Sequence, residues 1–258
     1  MSELEYKLLD HGSIILTDTS VRVMGNGKGG VIPVTDNGRI DFDLAVVRAA
    51  RTSFDAAWRA GDDESNDERL IYRLMRKRHT SPFEKVSATF EVVAPIFVYR
   101  EWHRHRTQSY SEQSARYMEM PEIFFVPDPA LIGAQQQTEK QAREISETID
   151  PRLRAQREAE CRILRLQNET AFGIYRELLT NGWPRELART VLPVGTYSKM
   201  QATANLLNWF RFLELRLALG AQREIRVYAQ AILKLLTLLA PVSCAAFKKF
   251  WLTTEHDI

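Results

Sequence analysis

Cysteine is nearly missing from this chain: Cys161 and Cys244 are the two thiols in 258 residues. That scarcity excludes a disulfide framework and any zinc site built mainly from thiolates. Both cysteines fall in apolar surroundings, Cys161 on a helical stripe and Cys244 in "PVSCAAF", so both read as core residues. Long apolar runs are also lacking, and nothing approaches the roughly eighteen residues of a membrane span. After Met1 comes "SELEYKLLD", without a basic start and apolar run of secretory type, so cytoplasm is the expected location. Excess charge of one sign is missing too. Lys and Arg total 35 against 33 for Asp and Glu, leaving +2, far from the basic stripe of a dedicated nucleic-acid binder. Any anion site must therefore be local.

What is present is a hydrophobic fraction of 45%, enough for a sizeable core, and a mixed order of elements. "SIILTD" at 13–18 reads as a strand and "MGNGKGGVIPVTDNGR" as a mobile surface loop. Gly25, Gly27 and Gly30 match G-x-G-x-x-G in letters, but Val31, Ile32 and Pro33 follow where a helix should open. "DLAVVRAARTSF" and "NDERLIYRLMRKRH" read as helices, the second with Asn66 or Asp67 as N-cap. "FEKVSATFEV" alternates, with Val86, Ala88, Phe90 and Val92 on one face of a half-buried strand that Pro95 ends. "IFVYREWHRHR" has helical character. A charged helical region is expected from about 138 to 180, punctuated by Pro151, with Cys161, Leu164, Ala171, Tyr175 and Leu178 as a packing stripe. "PRELARTV" follows as a short helix and "GTYSKMQATA" as a strand, before two long helices. Strands and helices without regular βαβ alternation predict a single α+β domain over residues 1–258.

The chemistry concentrates in "RHRTQSYSEQSARY", Arg104 to Tyr117. Arginine offers a planar fork for phosphate, and serine hydroxyls complete such a cradle. Composition alone leaves two readings, a phosphate clamp and a solvated polar loop. His103 and His105 do not read as a metal pair, because alternate positions on a helix point apart and neighbouring arginines repel a cation. Ser114 has no base assigned to it by the sequence. Later arginines, Arg189, Arg211 and Arg216, are each read singly as solvated helical residues.

Taken together, these stretches resemble the flavin-dependent thymidylate synthases. "RHRTQSYSEQSARY" carries that family's R-H-R-x7-S signature, "HTSPFE" at 79–84 is similar to its H-x-[TS]-P-F-E element, and "ELARTVLP" and "LRLALGAQREIRVYA" resemble its later blocks. The resemblance runs from "AARTSF" to "APVSCAAF" and implies an α+β homotetramer. It implies that FAD is bound by Arg104, His105 and Arg106, with Ser53, His79, Ser81, Glu84, Glu112, Asn205 and Arg211 beside them. It implies that a nucleotide phosphate falls to Ser114, Arg116 and Arg189, with Glu101, Glu112 and Gln113 nearby, and that Arg216 contacts the pyrimidine ring as the group acting on the reaction. The implied activity is methylation of carbon 5 of dUMP by methylenetetrahydrofolate, with FAD reduced by NADPH and no cysteine nucleophile. A paralogue methylating UMP for nucleoside-antibiotic biosynthesis is the alternative, and a nucleic-acid binder a third. Glu101, Leu207 and Gly220 depart from the family pattern, which has Gln, Arg and His there. An acid at 101 calls for a cationic partner, and Arg100 is adjacent.

Overall fold

The structure is a computed structural model and describes residues 4–20, 24–25, 31–32, 41–137, 142–144 and 149–256. Strands β1 (Glu5–Leu8) and β2 (Gly12–Thr19) form a hairpin, and β3 (Met24–Gly25) pairs with β4 (Val31–Ile32) in a small ribbon. Part of the expected 24–39 loop is thus paired strand. Gly27, Gly30 and the remainder lie outside the described residues. Helix α1 (Phe42–Arg51) starts at Asp41, whose carboxylate accepts from the Leu44 N–H at 2.9 Å. Helix α2 (Glu64–Arg76) starts at Asp63, which accepts from the Asn66 N–H at 3.1 Å. The expected cap at Asn66 or Asp67 is therefore corrected: Asp67 lies inside the first turn, buried, and is held by the Arg51 guanidinium and the Gly61 N–H.

After a 3-10 turn over Ser81–Lys85 comes β5 (Ser87–Pro95), then α3 (Ile96–Trp102) and β6 (Ser109–Glu112). A second ribbon pairs β7 (Ala134–Gln135) with β8 (Arg143–Glu144). The expected helix from 138 is corrected here. Helix α4 runs over Pro151–Thr180, because Asp150 caps it through the Arg152 and Leu153 N–H groups and Pro151 takes the first turn, where no N–H is needed. Residues 138–141 and 145–148 are outside the described set. Short α5 (Arg185–Ala188), β9 (Tyr197–Asn205), α6 (Leu206–Arg216), α7 (Arg223–Leu239) and α8 (Pro241–Trp251) complete the order.

The main sheet has the order β1-β2-β5-β9-β6 with antiparallel pairing throughout. Its two faces differ as the alternation in β5 predicts. Ala88, Phe90, Val92 and Ala94 are buried, as are Met200, Ala202 and Ala204 of β9. The opposite face is polar, with the Thr89 and Thr203 hydroxyls 2.8 Å apart and Lys199 3.1 Å from Glu91. One apolar face requires a helical covering: α3, α6 and α7 pack on the strands, and α1, α2 and α8 extend the same core. Phe90 meets Trp209 edge-on at 4.9 Å, an arrangement worth about 0.5–1.5 kcal/mol beyond burial. Gly12 admits no larger residue, since a Cβ would collide with the Tyr228 hydroxyl, which donates to the Val93 carbonyl at 2.7 Å. A smaller core forms where Phe172 and Tyr175 of α4 meet Met120, Phe124 and Ala188. Of the expected α4 stripe, Cys161 and Tyr175 are buried, while Leu164, Ala171 and Leu178 are half-buried. Among the described residues, no helix is long and apolar enough to cross a membrane.

Candidate functional site

The site begins with a firmly fixed helix end. The Tyr99 hydroxyl, buried beneath α3, donates to the Val92 carbonyl at 2.7 Å with the Ser198 carbonyl 2.8 Å away, which seats the helix on both central strands. Beyond α3 the chain turns tightly: the His103 N–H donates to the Tyr99 carbonyl at 2.8 Å and the His105 N–H to the Trp102 carbonyl at 3.0 Å. Trp102 is buried and donates its indole N–H to Gln108 at 3.0 Å. The Tyr110 hydroxyl donates to the His105 carbonyl at 2.7 Å, with the Trp102 carbonyl 3.2 Å away. The turn is thereby clasped so that His105 is buried while Arg104 and Arg106 on either side are exposed. Gln108 and Tyr110 were not singled out by the sequence. Their signal was position alone, since the turn must close on the strand that follows it.

Helix α6 supplies the second wall. Asn205 caps it by accepting from the Asn208 N–H at 2.9 Å, and the Asn208 amide reaches the Thr107 carbonyl at 3.4 Å. Arg211 donates to the Asn208 amide oxygen at 3.1 Å, which brings Asn205, Arg211 and the Arg104–Arg106 turn to one edge. The Ser81–Lys85 turn packs against α6 through Phe83 and Phe210, 6.1 Å apart, so Ser81 and Glu84 join this side as exposed residues. His79 just precedes it, also exposed, after Arg78 at φ 57°. Ser53 stands in the exposed turn Thr52–Phe54 that follows α1, and α1 packs on the 81–85 turn.

At the far end of α6, Arg216 turns back toward the clasped turn. Its Nε donates to His105 Nε2 at 2.9 Å, its Nη1 lies 2.8 Å from Glu101 Oε2, and its Nη2 donates to the Glu101 carbonyl at 3.0 Å. Glu101 thus finds its cation 115 residues away in Arg216 and not in neighbouring Arg100, a correction to the pairing expected from sequence. His105 must accept from Arg216, so its proton sits on Nδ1. Burial, and then the Arg216 charge, lower its pKa from 6.5 to about 4, which keeps the ring neutral and accepting at neutral pH. A cavity of about 940 Å³ opens beside this group, lined among others by Glu101, Arg143, Arg216, Gly220, Arg223 and Arg226. Gly220 contributes no side chain to that wall.

A separate cluster joins Ser114, Arg116 and Arg189. The Arg116 N–H donates to Ser114 Oγ at 3.3 Å, Arg116 Nε lies 3.4 Å from Glu186 Oε2, and Arg189 Nε donates to the Glu186 carbonyl at 3.4 Å. Two exposed arginines therefore converge on one residue. Gln113, next to this cluster, donates its amide to the Met118 sulfur at 2.9 Å, and Glu112 ends β6 opposite Met200. Among the described residues, no hydrogen bond or ion pair links this cluster to Arg216. Both cysteines behave as core residues: burial pushes the Cys244 thiol up to about 12 and raises that of Cys161, whose S–H faces the Pro127 carbonyl at 3.4 Å.

Residues 39–242 match the family model described as thymidylate synthase complementing protein. A flavin-dependent thymidylate synthase of Thermus thermophilus is 42% identical over 224 residues, covering 84% of this chain and 78% of the relative. One from Thermotoga neapolitana is 39% identical over 225 residues, covering 85% and 94%. The solved structure of the UMP/dUMP methylase PolB from Streptomyces cacaoi with 5-Br UMP superposes with a TM-score of 0.75 at 34% identity, covering 95% of this chain and 97% of that one. With the family model spanning most of the sequence and relatives this similar over most of their own length, the chain belongs to the flavin-dependent thymidylate synthase family.

Proposed function

We propose that this chain, acting as one domain, methylates carbon 5 of a uridine monophosphate, with dUMP as the main substrate. Methylenetetrahydrofolate is the one-carbon donor, NADPH the reductant and FAD the cofactor. The carrying observation is the Arg216 fork, fixed by a neutral buried histidine at the edge of a cavity. A planar guanidinium there favours negative charge on the N3–O4 edge of a uracil ring and so polarises the ring toward attack at carbon 5. Ser114, Arg116 and Arg189, with Glu112 and Gln113 nearby, hold the nucleotide phosphate. The exposed Arg104, Arg106 and Arg211, together with Asn205, fit the diphosphate of a dinucleotide, since forked cations and amide donors suit its oxygens. Ser53, His79, Ser81 and Glu84 extend that edge, and FAD when bound supplies the hydride.

The exposed apolar side chains of α4 support a homotetramer, in which a second copy of the chain completes the site. UMP is a second substrate on this reading, favoured by the likeness to PolB, which is named a UMP/dUMP methylase. Release of tritium from carbon-5-labelled dUMP and UMP, with methylenetetrahydrofolate, FAD and NADPH present, tests it. Release from dUMP and, more slowly, from UMP is expected. Release from neither, with flavin bound and reducible, overturns the assignment.

A further inference from the structure

Arg216 gives both of its terminal nitrogens to one residue. Nη1 meets the Glu101 carboxylate at 2.8 Å and Nη2 the Glu101 carbonyl at 3.0 Å, while Nε is held by His105. These contacts differ in how readily they yield. His105 is buried, and the Glu101 carbonyl belongs to α3. The Glu101 side chain is 44% exposed, against 15% for Arg216, and so has room to swing into solvent. It also sits in the last turn of α3, a helix end that disfavours negative charge, so Arg216 is the group that stabilises the carboxylate where it is.

We infer that Glu101 is a built-in competitor for the nucleotide base: its carboxylate occupies the Arg216 fork until the N3–O4 edge of a uridine nucleotide displaces it. This rests on the reading of Arg216 as the ring contact. On that edge O4 is the acceptor and N3–H a donor, so the ring takes over the Nη1 bond through O4 and leaves the Nη2 bond to the Glu101 carbonyl in place. The nucleotide therefore binds with the Glu101–Arg216 pair subtracted from its own interaction, and Glu101 sets nucleotide affinity without touching the ring. The guanidinium stays in position when the carboxylate leaves, since the His105 bond and the carbonyl bond persist.

Equilibrium binding to the FAD-loaded protein, with folate and NADPH left out so that no turnover occurs, tests the inference. The ligands are dUMP and deoxyuridine, the latter keeping the ring and lacking the phosphate. Glu101→Gln and Glu101→Ala should each tighten both ligands roughly tenfold, equivalent to about 1.4 kcal/mol. Retained flavin and a single cooperative melting transition verify that the variants are folded. Unchanged or weaker binding in both variants overturns the inference. A gain for dUMP alone overturns it too, because Glu101 would then act by repelling phosphate. A gain confined to the glutamine variant does the same, since a new amide bond would explain it. If wild-type protein binds neither ligand, the reading of Arg216 itself fails; if wild type binds and neither variant gains, the competition alone fails.

Discussion

At the scale of single residues, Tyr110 decides how the Arg104–Arg106 turn is presented. Its hydroxyl is a donor to the His105 carbonyl, its ring lies 4.8 Å from that of His103, and burial pushes its pKa up to about 12, so it stays a donor. Tyr110→Phe removes one hydrogen bond and leaves a carbonyl short of its partner, a loss of about 1 kcal/mol. Calorimetry should show the melting temperature reduced by about 2–4 °C, as for other domains near this size. Flavin titration should show FAD affinity reduced several-fold, and unchanged affinity would show that the clasp does not shape the flavin side. The sequence displayed Arg104, His105 and Arg106 as equals. Which of the three turns inward depends on Tyr110 and on Arg216, reached only after 111 further residues from His105. Glu101 was misassigned to Arg100 for the same reason: neighbours in sequence are visible, and neighbours brought round by a helix are not.

At the scale of elements, the start of α8 is capped from a distance. Asp43 of α1 accepts from the Val242 N–H at 2.7 Å, the Ser243 N–H at 2.9 Å and the Ser243 hydroxyl. Burial outweighs these bonds and raises its pKa from 3.8 to about 6. A carboxyl whose folded-state pKa is raised contributes stability that is fully present below about 3.8 and lost as pH rises through about 6. Asp43→Asn abolishes that titration. The stability difference between wild type and variant should therefore move against the wild type from pH 4 to pH 7, by at most about 3 kcal/mol. Denaturant unfolding at several pH values measures it, and a difference independent of pH refutes the assignment. Periodicity made most helices and the long sheet strands β2, β5 and β9 legible, because burial on one face writes itself into spacing. Boundaries were harder. Asp63, Asn66 and Asp67 are all capping types, and only the Arg51–Asp67 contact shows which was withdrawn for another use. The β7–β8 ribbon was hidden because charged, two-residue strands carry no pattern.

At the scale of the whole molecule, α4 exposes an apolar line, with Ile163 68%, Leu166 63% and Ile174 44% accessible. A 30-residue helix that leaves such a line to solvent in one copy suits burial against another. On the proposed homotetramer, Ile163→Glu with Leu166→Glu should lower the mass found by light scattering below that of the wild type and weaken FAD binding, while circular dichroism stays unchanged. An intact tetramer would assign the interface to other surfaces. The α+β class and the family's motif blocks were readable in the sequence, whereas the contacts that join Arg216 to Glu101 and His105, and Arg116 and Arg189 to Glu186, were not, since spacing does not say which blocks meet within one chain. The antiparallel pairing of β5 with β9 has a consequence for biosynthesis. Ser87 faces Asn205 and Pro95 faces Tyr197, so the two central strands are separated by more than a hundred residues, and Asp43 waits even longer for Ser243. A chain emerging from the ribosome must hold one backbone edge of β5 unpaired until β9 arrives, and its apolar face without α6 and α7 for longer still; long-range closure of this kind is slow. Nascent chains stopped before Tyr197 should therefore be the ones that engage chaperones.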